Sequence, residues 1–405
     1  MTHAGAVWSV AFSPDGQLLA TAGRDATARV WQVNSREATP RIAHKDNVVA
    51  AAFSPDGKWF AAASLDRLVS LWHTTTERGV IQLEHVGGVW DIAFSPNSRW
   101  LATGSEEGWV RVWDVVSGTK VAEMEHGGRI LTVAFSPDGR WVASGSSLTA
   151  RVWDVATGQQ VAKMDNGAWI RKLKFSPNGK LLVTASVDGT ARVWDTSTGR
   201  ELARFEHKGE VMDMDISQDG KWLATASEDH TARLFDLTTL REVIWWGHKA
   251  GVHAVAFSPD GRWLVSGCLD GTATVWSTVI RIHRPWATLK HDTGVWTMAF
   301  SPDGKWLATG TMDGAAQVWD WFGKRAVARA MHDNLVTMVA FSPDERWLAT
   351  GSMDDTARIR SWRPEDVIAE ACARLPRNLT REEWQRYIGG EPYHSTCANL
   401  PTPEK

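Results

Sequence analysis

His291 to Asp320 reads HDTGVWTMAFSPDGKWLATGTMDGAAQVWD, and at its centre lies Phe300-Ser301-Pro302-Asp303-Gly304. The same pentapeptide pattern starts at Phe12, Phe53, Phe94, Phe135, Phe175, Ile216, Phe257 and Phe341, and successive gaps across the nine are 41, 41, 41, 40, 41, 41, 43 and 41 residues. A period this steady marks a repeat architecture and outranks any local reading. Inside one period, Asp303-Gly304 is a tight-turn dipeptide between two apolar runs, Val295 to Phe300 and Trp306 to Thr309, which is a hairpin signal. A second turn at Met312-Asp313-Gly314 leads into a third run, Ala316 to Trp319, and another turn leads to a fourth around Val327 to Met331. By length and turn spacing, each period encodes four short antiparallel strands, the content of one β-propeller blade.

Trp319-Asp320 closes the third strand of its repeat, as Trp113-Asp114, Trp153-Asp154 and Trp194-Asp195 close theirs. On that period these dipeptides resemble the WD-repeat family, and the resemblance covers residues 1–362. It implies an all-β WD-repeat β-propeller of nine four-stranded repeats with a short C-terminal α-helical tail, residues 363–405. Propellers usually have four to eight blades. A seven-bladed ring with two blades left over therefore stands beside one nine-bladed ring, which is favoured because no linker interrupts the period.

The resemblance also implies a buried hydrogen-bonded chain within each blade, from His to Asp, from His to a Ser or Thr hydroxyl, and from that hydroxyl to the Trp indole. Burial makes such a chain reasonable, since each of these groups needs a partner and one network satisfies them all. Blade one has the full set in His3, Thr21, Asp25 and Trp31. Blade seven has it in His248, Ser266, Asp270 and Trp276, and blade eight in His291, Thr309, Asp313 and Trp319. The other blades depart from it: Ala62 replaces Thr, Glu107 replaces Asp, blade four has lost the Asp to a deletion, Asn166 replaces His, and Phe235 and Arg360 replace Trp. The incomplete blades are expected to be looser. A Ser-His-Asp grouping that recurs in nearly every repeat is a structural network rather than a set of catalytic triads.

Composition narrows the function. The net charge is −3 with no basic run, so there is no electrostatic footprint for nucleic acid. No stretch approaches a membrane span and no signal peptide opens the chain, so a cytoplasmic protein is expected. Cys268, Cys372 and Cys397 show neither metal spacing nor a disulfide framework. Of the 25 tryptophans, seven close third strands (Trp31, Trp72, Trp113, Trp153, Trp194, Trp276, Trp319) and seven open second strands (Trp59, Trp100, Trp141, Trp222, Trp263, Trp306, Trp347), where packing accounts for them. No phosphate loop, metal cluster or activated nucleophile appears, and no cofactor is expected.

The chain starts where other repeats end their outer strand, since Met1-Thr2-His3 aligns with Met124-Glu125-His126. Either the last blade keeps three strands or the chain continues a longer one. After Trp362 the pattern turns helical. Val367, Ile368, Ala371, Cys372 and Leu375 make one apolar face, and Thr380 to Glu383 form a capping box ahead of a second helix. This tail resembles segments that follow the repeats in bacterial STAND-type signalling NTPases, which implies the C-terminal part of a bacterial signalling protein, with an N-terminal effector or NTPase domain as a possible missing partner. The tail is expected to pack on the propeller as a cap. The link Thr278 to Leu289 is two residues longer than most and is expected to form a solvated, bulged edge.

The first strand of each repeat carries a parity switch. A β-branched residue sits four after the His position and apolar residues return at seven and nine, which a regular strand cannot place on one face, so a β-bulge is expected. The positions around it vary sharply in chemistry. They supply Trp8 and Arg24, Trp90 and Glu106, Arg129, Trp169 and Arg171, Glu210, Met212 and Glu228, and His253 and Trp296. In the WD-repeat family the matching positions rim the top face and contact partners, which implies a protein or peptide partner there. The alternative is an enzyme with a pocket at the ring centre, for which Lys174 and Asp215 are the candidates, because every other repeat has Ala at that position.

Overall fold

The computed structural model describes residues 1–35, 38–74, 80–280 and 282–363, together with 377, 378, 380, 381 and 397. The first blade shows how the repeat folds. Val7–Phe12, Leu18–Gly23, Thr27–Gln32 and Ala38–Ala43 pair antiparallel in sequence order. Eight sheets have four strands in this order and one, formed by Val336–Phe341, Trp347–Ser352 and Ala357–Ser361, has three.

The Ser-Pro-Asp-Gly turn explains why the pentapeptide recurs. Ser301 Oγ donates to Asp303 Oδ1 at 2.6 Å and accepts the Trp306 N–H at 3.0 Å. The Gly304 backbone has φ +72°, a left-handed conformation that Gly adopts without steric cost. The first strand then rises to its bulge. In blade eight the register shifts between Val295 and Thr297, leaving Trp296 as the extra residue. The same shift occurs in all nine first strands, as between Val7 and Ser9 or Val336 and Met338.

Nine apolar clusters, one at each junction between neighbouring sheets, decide how the ring closes. Val7, Val10 and Leu19 of blade one pack with Ala349, Ala357 and Ile359 of blade nine, so the ring is one nine-bladed propeller and the seven-plus-two arrangement is excluded. Backbone pairing supports the same closure. Thr2 forms an antiparallel bridge with Thr356, and the His3 N–H donates to Asp355 O at 2.7 Å. Met1 to His3 thus lie where the end of a fourth strand of blade nine would run. The two helices expected over 364–388 lie outside the described residues. Cys397 corrects the cysteine reading: it is disulfide-bonded, and Cys268 is the free thiol among the described residues. Spacing alone does not encode such pairing.

Junction packing is specific to each pair of blades. The residue before the last in the second strand is Ala22, Ala63, Ala185 or Ala226 in four blades, and in each the facing β-branched residue of the next blade is a Val (Val48, Val89, Val211, Val252). Ile130 and Ile170 instead face Gly104 and Gly145. A Cβ on Gly104 would sit 2.5 Å from Ile130 Cγ2. Gly104→Ala is therefore expected to destabilise the ring by about 1–3 kcal/mol through overpacking. The denaturation midpoint checks this, and an unchanged midpoint would show that the junction can shift to admit the methyl group.

Candidate functional site: the top-face rim and the channel mouth

The hydrogen-bonded chain closes completely in blade one. The Trp31 indole donates to Thr21 Oγ1 at 2.9 Å, Thr21 Oγ1 lies 2.8 Å from His3 Nε2, and His3 Nδ1 lies 3.0 Å from Asp25 Oδ1. One proton arrangement satisfies every group: indole N–H to hydroxyl oxygen, hydroxyl to a bare Nε2, and Nδ1–H to carboxylate. Burial opposes charge at both titrating groups. It lowers the His3 pKa and so keeps the ring neutral. At Asp25 it is outweighed by the His3, Ala4 and Thr27 donors, which bring the carboxyl to about 2.

Blades seven and eight do not close the chain, although their sequences carry all four members. His248 Nε2 reaches Ser266 and His291 Nε2 reaches Thr309, each at 2.8 Å, and the Trp276 and Trp319 indoles donate to the same hydroxyls. The His–Asp link is what opens. In blade eight Asp313 is taken by the Thr311 hydroxyl at 2.5 Å, and His291 Nδ1 is buried without a partner. Residue 315 is Ala there. In blades one, six and nine a Thr at the matching place (Thr27, Thr231, Thr356) bonds the Asp at 2.7, 2.5 and 2.6 Å and sits beside His Nδ1. An Arg two residues further on pairs with the same carboxylate: Arg29, Arg233 and Arg358. Neither position is among the four residues expected from the sequence, although Thr-Ala-Arg recurs at a fixed distance after the Asp.

Above these networks, the rim positions form a chain of pairs between blades. Arg129 stacks over Trp90 at 3.9 Å and lies 3.8 Å from Glu106. Arg171 pairs with Glu210 at 2.5 Å. His253 Nε2 lies 2.7 Å from Glu228, and its ring packs 4.8 Å from Trp296. Trp90, Trp296 and Met212 are half-buried, and Arg24 is exposed. The large apolar rim side chains that stand free are Trp8, 43% exposed, and Trp169, 51% exposed.

The rim leads into a cavity of about 700 Å3 lined by Arg171, Lys172, Lys174, Asp213, Asp215 and Trp296 among others. Lys174 pairs with Asp215 at 2.7 Å, and Lys172 pairs with Asp213. Asp213 and Asp215 also accept the Val255 and Phe257 N–H groups, at 3.1 and 2.9 Å. Blade five thus offers three cations and blade six three anions, matched across one junction. Lys174 and Asp215 are thus occupied by each other and by backbone, in a charge zipper across the junction of blades five and six.

The link after blade seven is exposed but apolar: Val279 and Ile280 are 66% and 61% exposed, and Phe322 is 60% exposed. Trp286 packs 5.3 Å from Trp263 and 5.2 Å from Phe322. The extra residues present an apolar patch on the outer wall.

Nine antiparallel meanders on a WD-bearing period, eight of four strands and one of three, closed into one ring around a channel, define the class, and the chain belongs to the WD-repeat β-propeller proteins. Residues 6–239, more than half of the chain, match the family model described as the IFT122 first beta-propeller, and residues 239–277, 284–320 and 329–361 match the WD domain, G-beta repeat. Among solved structures, the computationally designed Ika8 protein aligns over 89% of this chain and 97% of its own, with TM-score 0.61 and 23% identity, a likeness of fold alone. No curated protein matches the chain. Among the described residues no helix is long and apolar enough to cross a membrane.

Proposed function

We propose that this ring is a non-enzymatic interaction scaffold or sensor module, forming the C-terminal part of a bacterial signalling protein, and that it binds a protein or peptide across its top-face rim. WD-repeat propellers are generally protein-interaction scaffolds. The observation that carries the reading is the exposure of Trp8 and Trp169 on a rim where packing does not require a tryptophan. Large aromatic residues and Arg are what interface hot spots are made of. The paired cations of the rim, Arg129 and Arg171, hold fixed positions through Trp90 and Glu210, which favours an orienting role over a mobile one. An upstream effector or NTPase domain is one candidate partner.

The test compares partner recovery by the wild-type chain with recovery by Trp8→Ala/Trp169→Ala and by Ile280→Ser/Phe322→Ser, after all three are shown to melt alike. The rim variant should lose binding at least about 30-fold, from two hot spots near 1–2 kcal/mol each. The outer-wall variant should bind as wild type. The opposite ranking would move the interface to the Thr278 to Leu289 patch, and equal recovery by all three would sink the proposal.

A further inference from the structure

We propose that blade seven holds a divalent metal ion, Zn2+ by the character of its donors, through His248 Nδ1, Cys268 Sγ and a carboxylate oxygen of Asp270. These three atoms lie within 4.8 Å of one another. Tetrahedral zinc with nitrogen, sulfur and oxygen donors spaces its ligands about 3.3–3.8 Å apart, so closing on an ion requires shifts of about 1 Å. The fourth position is left to water.

The other blades serve as internal controls. The place of Cys268 is occupied by Ser64, Ser105, Ser146, Ser186, Ser227 and Ser352, by Thr311 and by Gly23, so a soft donor occurs in blade seven alone. His248 differs as well. In blades one, two, six and nine His Nδ1 lies 3.0–3.1 Å from its Asp and donates a proton to it. In blade seven Asp270 is not within hydrogen-bond distance of His248. It accepts instead from the Thr272 hydroxyl at 2.6 Å and from the Thr272 and Lys249 N–H groups at 3.0 and 3.2 Å. Ser266 Oγ accepts the Trp276 indole N–H and lies 2.8 Å from His248 Nε2, so the ring is held through Nε2 and its Nδ1 lacks the carboxylate partner that it meets in those four blades. Asp270 is ionised, because the Thr272 hydroxyl and its other donors outweigh the burial that opposes charge.

The thiol carries a proton in the metal-free protein, since burial pushes Cys268 up to about 12. Binding therefore exchanges one proton: the S–H bond breaks, an S–Zn bond forms and H+ leaves to water past the partly exposed Asp270. The bound ion would staple the loop Lys249 to Gly251 to the turn Leu269 to Gly271, directly below His253 of the rim.

The experiment is a titration of the chelator-treated full-length chain with Co2+. One equivalent should give thiolate-to-cobalt charge-transfer absorption and tetrahedral visible bands, and competing Zn2+ should remove both. Cys268→Ser installs the residue that six other blades carry, so its metal-free melting curve should match wild type, while the charge-transfer band disappears and affinity falls about tenfold or more. His248→Asn, the side chain blade five carries at that place, should weaken binding to a similar degree with the thiol retained. Absence of a charge-transfer band in the wild-type chain would overturn the proposal. So would an undiminished band in Cys268→Ser, which would show that Cys268 does not hold the ion.

Discussion

Lowering the pH from 7 to 4 is expected to remove a large share of the ring's stability, and blades three and four should open first. His85 bonds Thr103 at 2.8 Å and His126 bonds Ser144 at 2.7 Å, and neither ring is hydrogen-bonded to a carboxylate as His3 is. Burial, reinforced by Arg111 and Arg151 respectively, lowers both to about 4. The unfolded chain binds a proton at each near pH 6.5. A depressed histidine contributes stability that is complete above 6.5 and is lost as pH falls from there to 4. At about 1.4 kcal/mol per pH unit, the loss reaches on the order of 3 kcal/mol for each histidine by pH 4. A second fall follows below pH 4, when Asp25 and Asp354, both near 2 in the folded ring, are protonated in the unfolded chain first. Melting temperature against pH should show the first fall, and hydrogen exchange should locate it in Val89–Glu125 and Ile130–Asp165. His126→Asn should flatten the profile between pH 6.5 and 4, because Asn166 already takes the Thr184 hydroxyl at 2.9 Å in blade five without titrating. An unchanged melting temperature from pH 7 to 4 would contradict the whole account.

Removing His3 should cost more than removing His291, although the sequence presents the two as equivalents. His3→Ala deprives the Asp25 carboxylate, whose side chain is 2% exposed, of a donor and leaves the Thr21 hydroxyl short of a partner. Losing a hydrogen bond to a buried charged group costs about 1.5–3 kcal/mol, to which the unpaired Thr21 hydroxyl adds. His291→Ala loses the Thr309 bond but also removes a buried ring nitrogen that has no partner, so about 1–2 kcal/mol is expected. His3 also stands where blade nine meets blade one, so the destabilised region should include the only sheet with three strands among the described residues. The denaturation midpoints of the two variants should differ in that order, and equal midpoints would show that the His–Asp link contributes nothing measurable.

The nine blades and their bulges were legible because turn chemistry and strand parity recur at every period. Ring size was legible only as a preference for nine blades, because closure depends on whether Ile359 and Ala357 meet Val7 and Leu19, a contact between opposite ends of the described ring. The open networks of blades seven and eight escaped for a related reason. All four named residues are present, and the outcome is set by neighbours: Ala315 where a Thr would stand, and Cys268 where a Ser would. On the rim, sequence variation marked the positions but not their pairing: Arg129 is stacked on Trp90 and Arg171 is bridged to Glu210. The apolar character of the outer-wall link comes from Val279 and Ile280, which the repeat pattern does not single out.

The Gly104–Ile130 and Gly145–Ile170 contacts act as an address code written along the ring. Nine repeats this similar invite unequal recombination between their coding segments, which would delete, duplicate or reorder blades while preserving every turn and strand. Where Ala meets Val the joint tolerates such exchange. A rearrangement that set the Ala22 or Ala63 strand against Ile130 would force a methyl into space that the isoleucine fills. The copies are thus alike enough to share one fold and different enough, at a few atoms, that blades three, four and five hold their order.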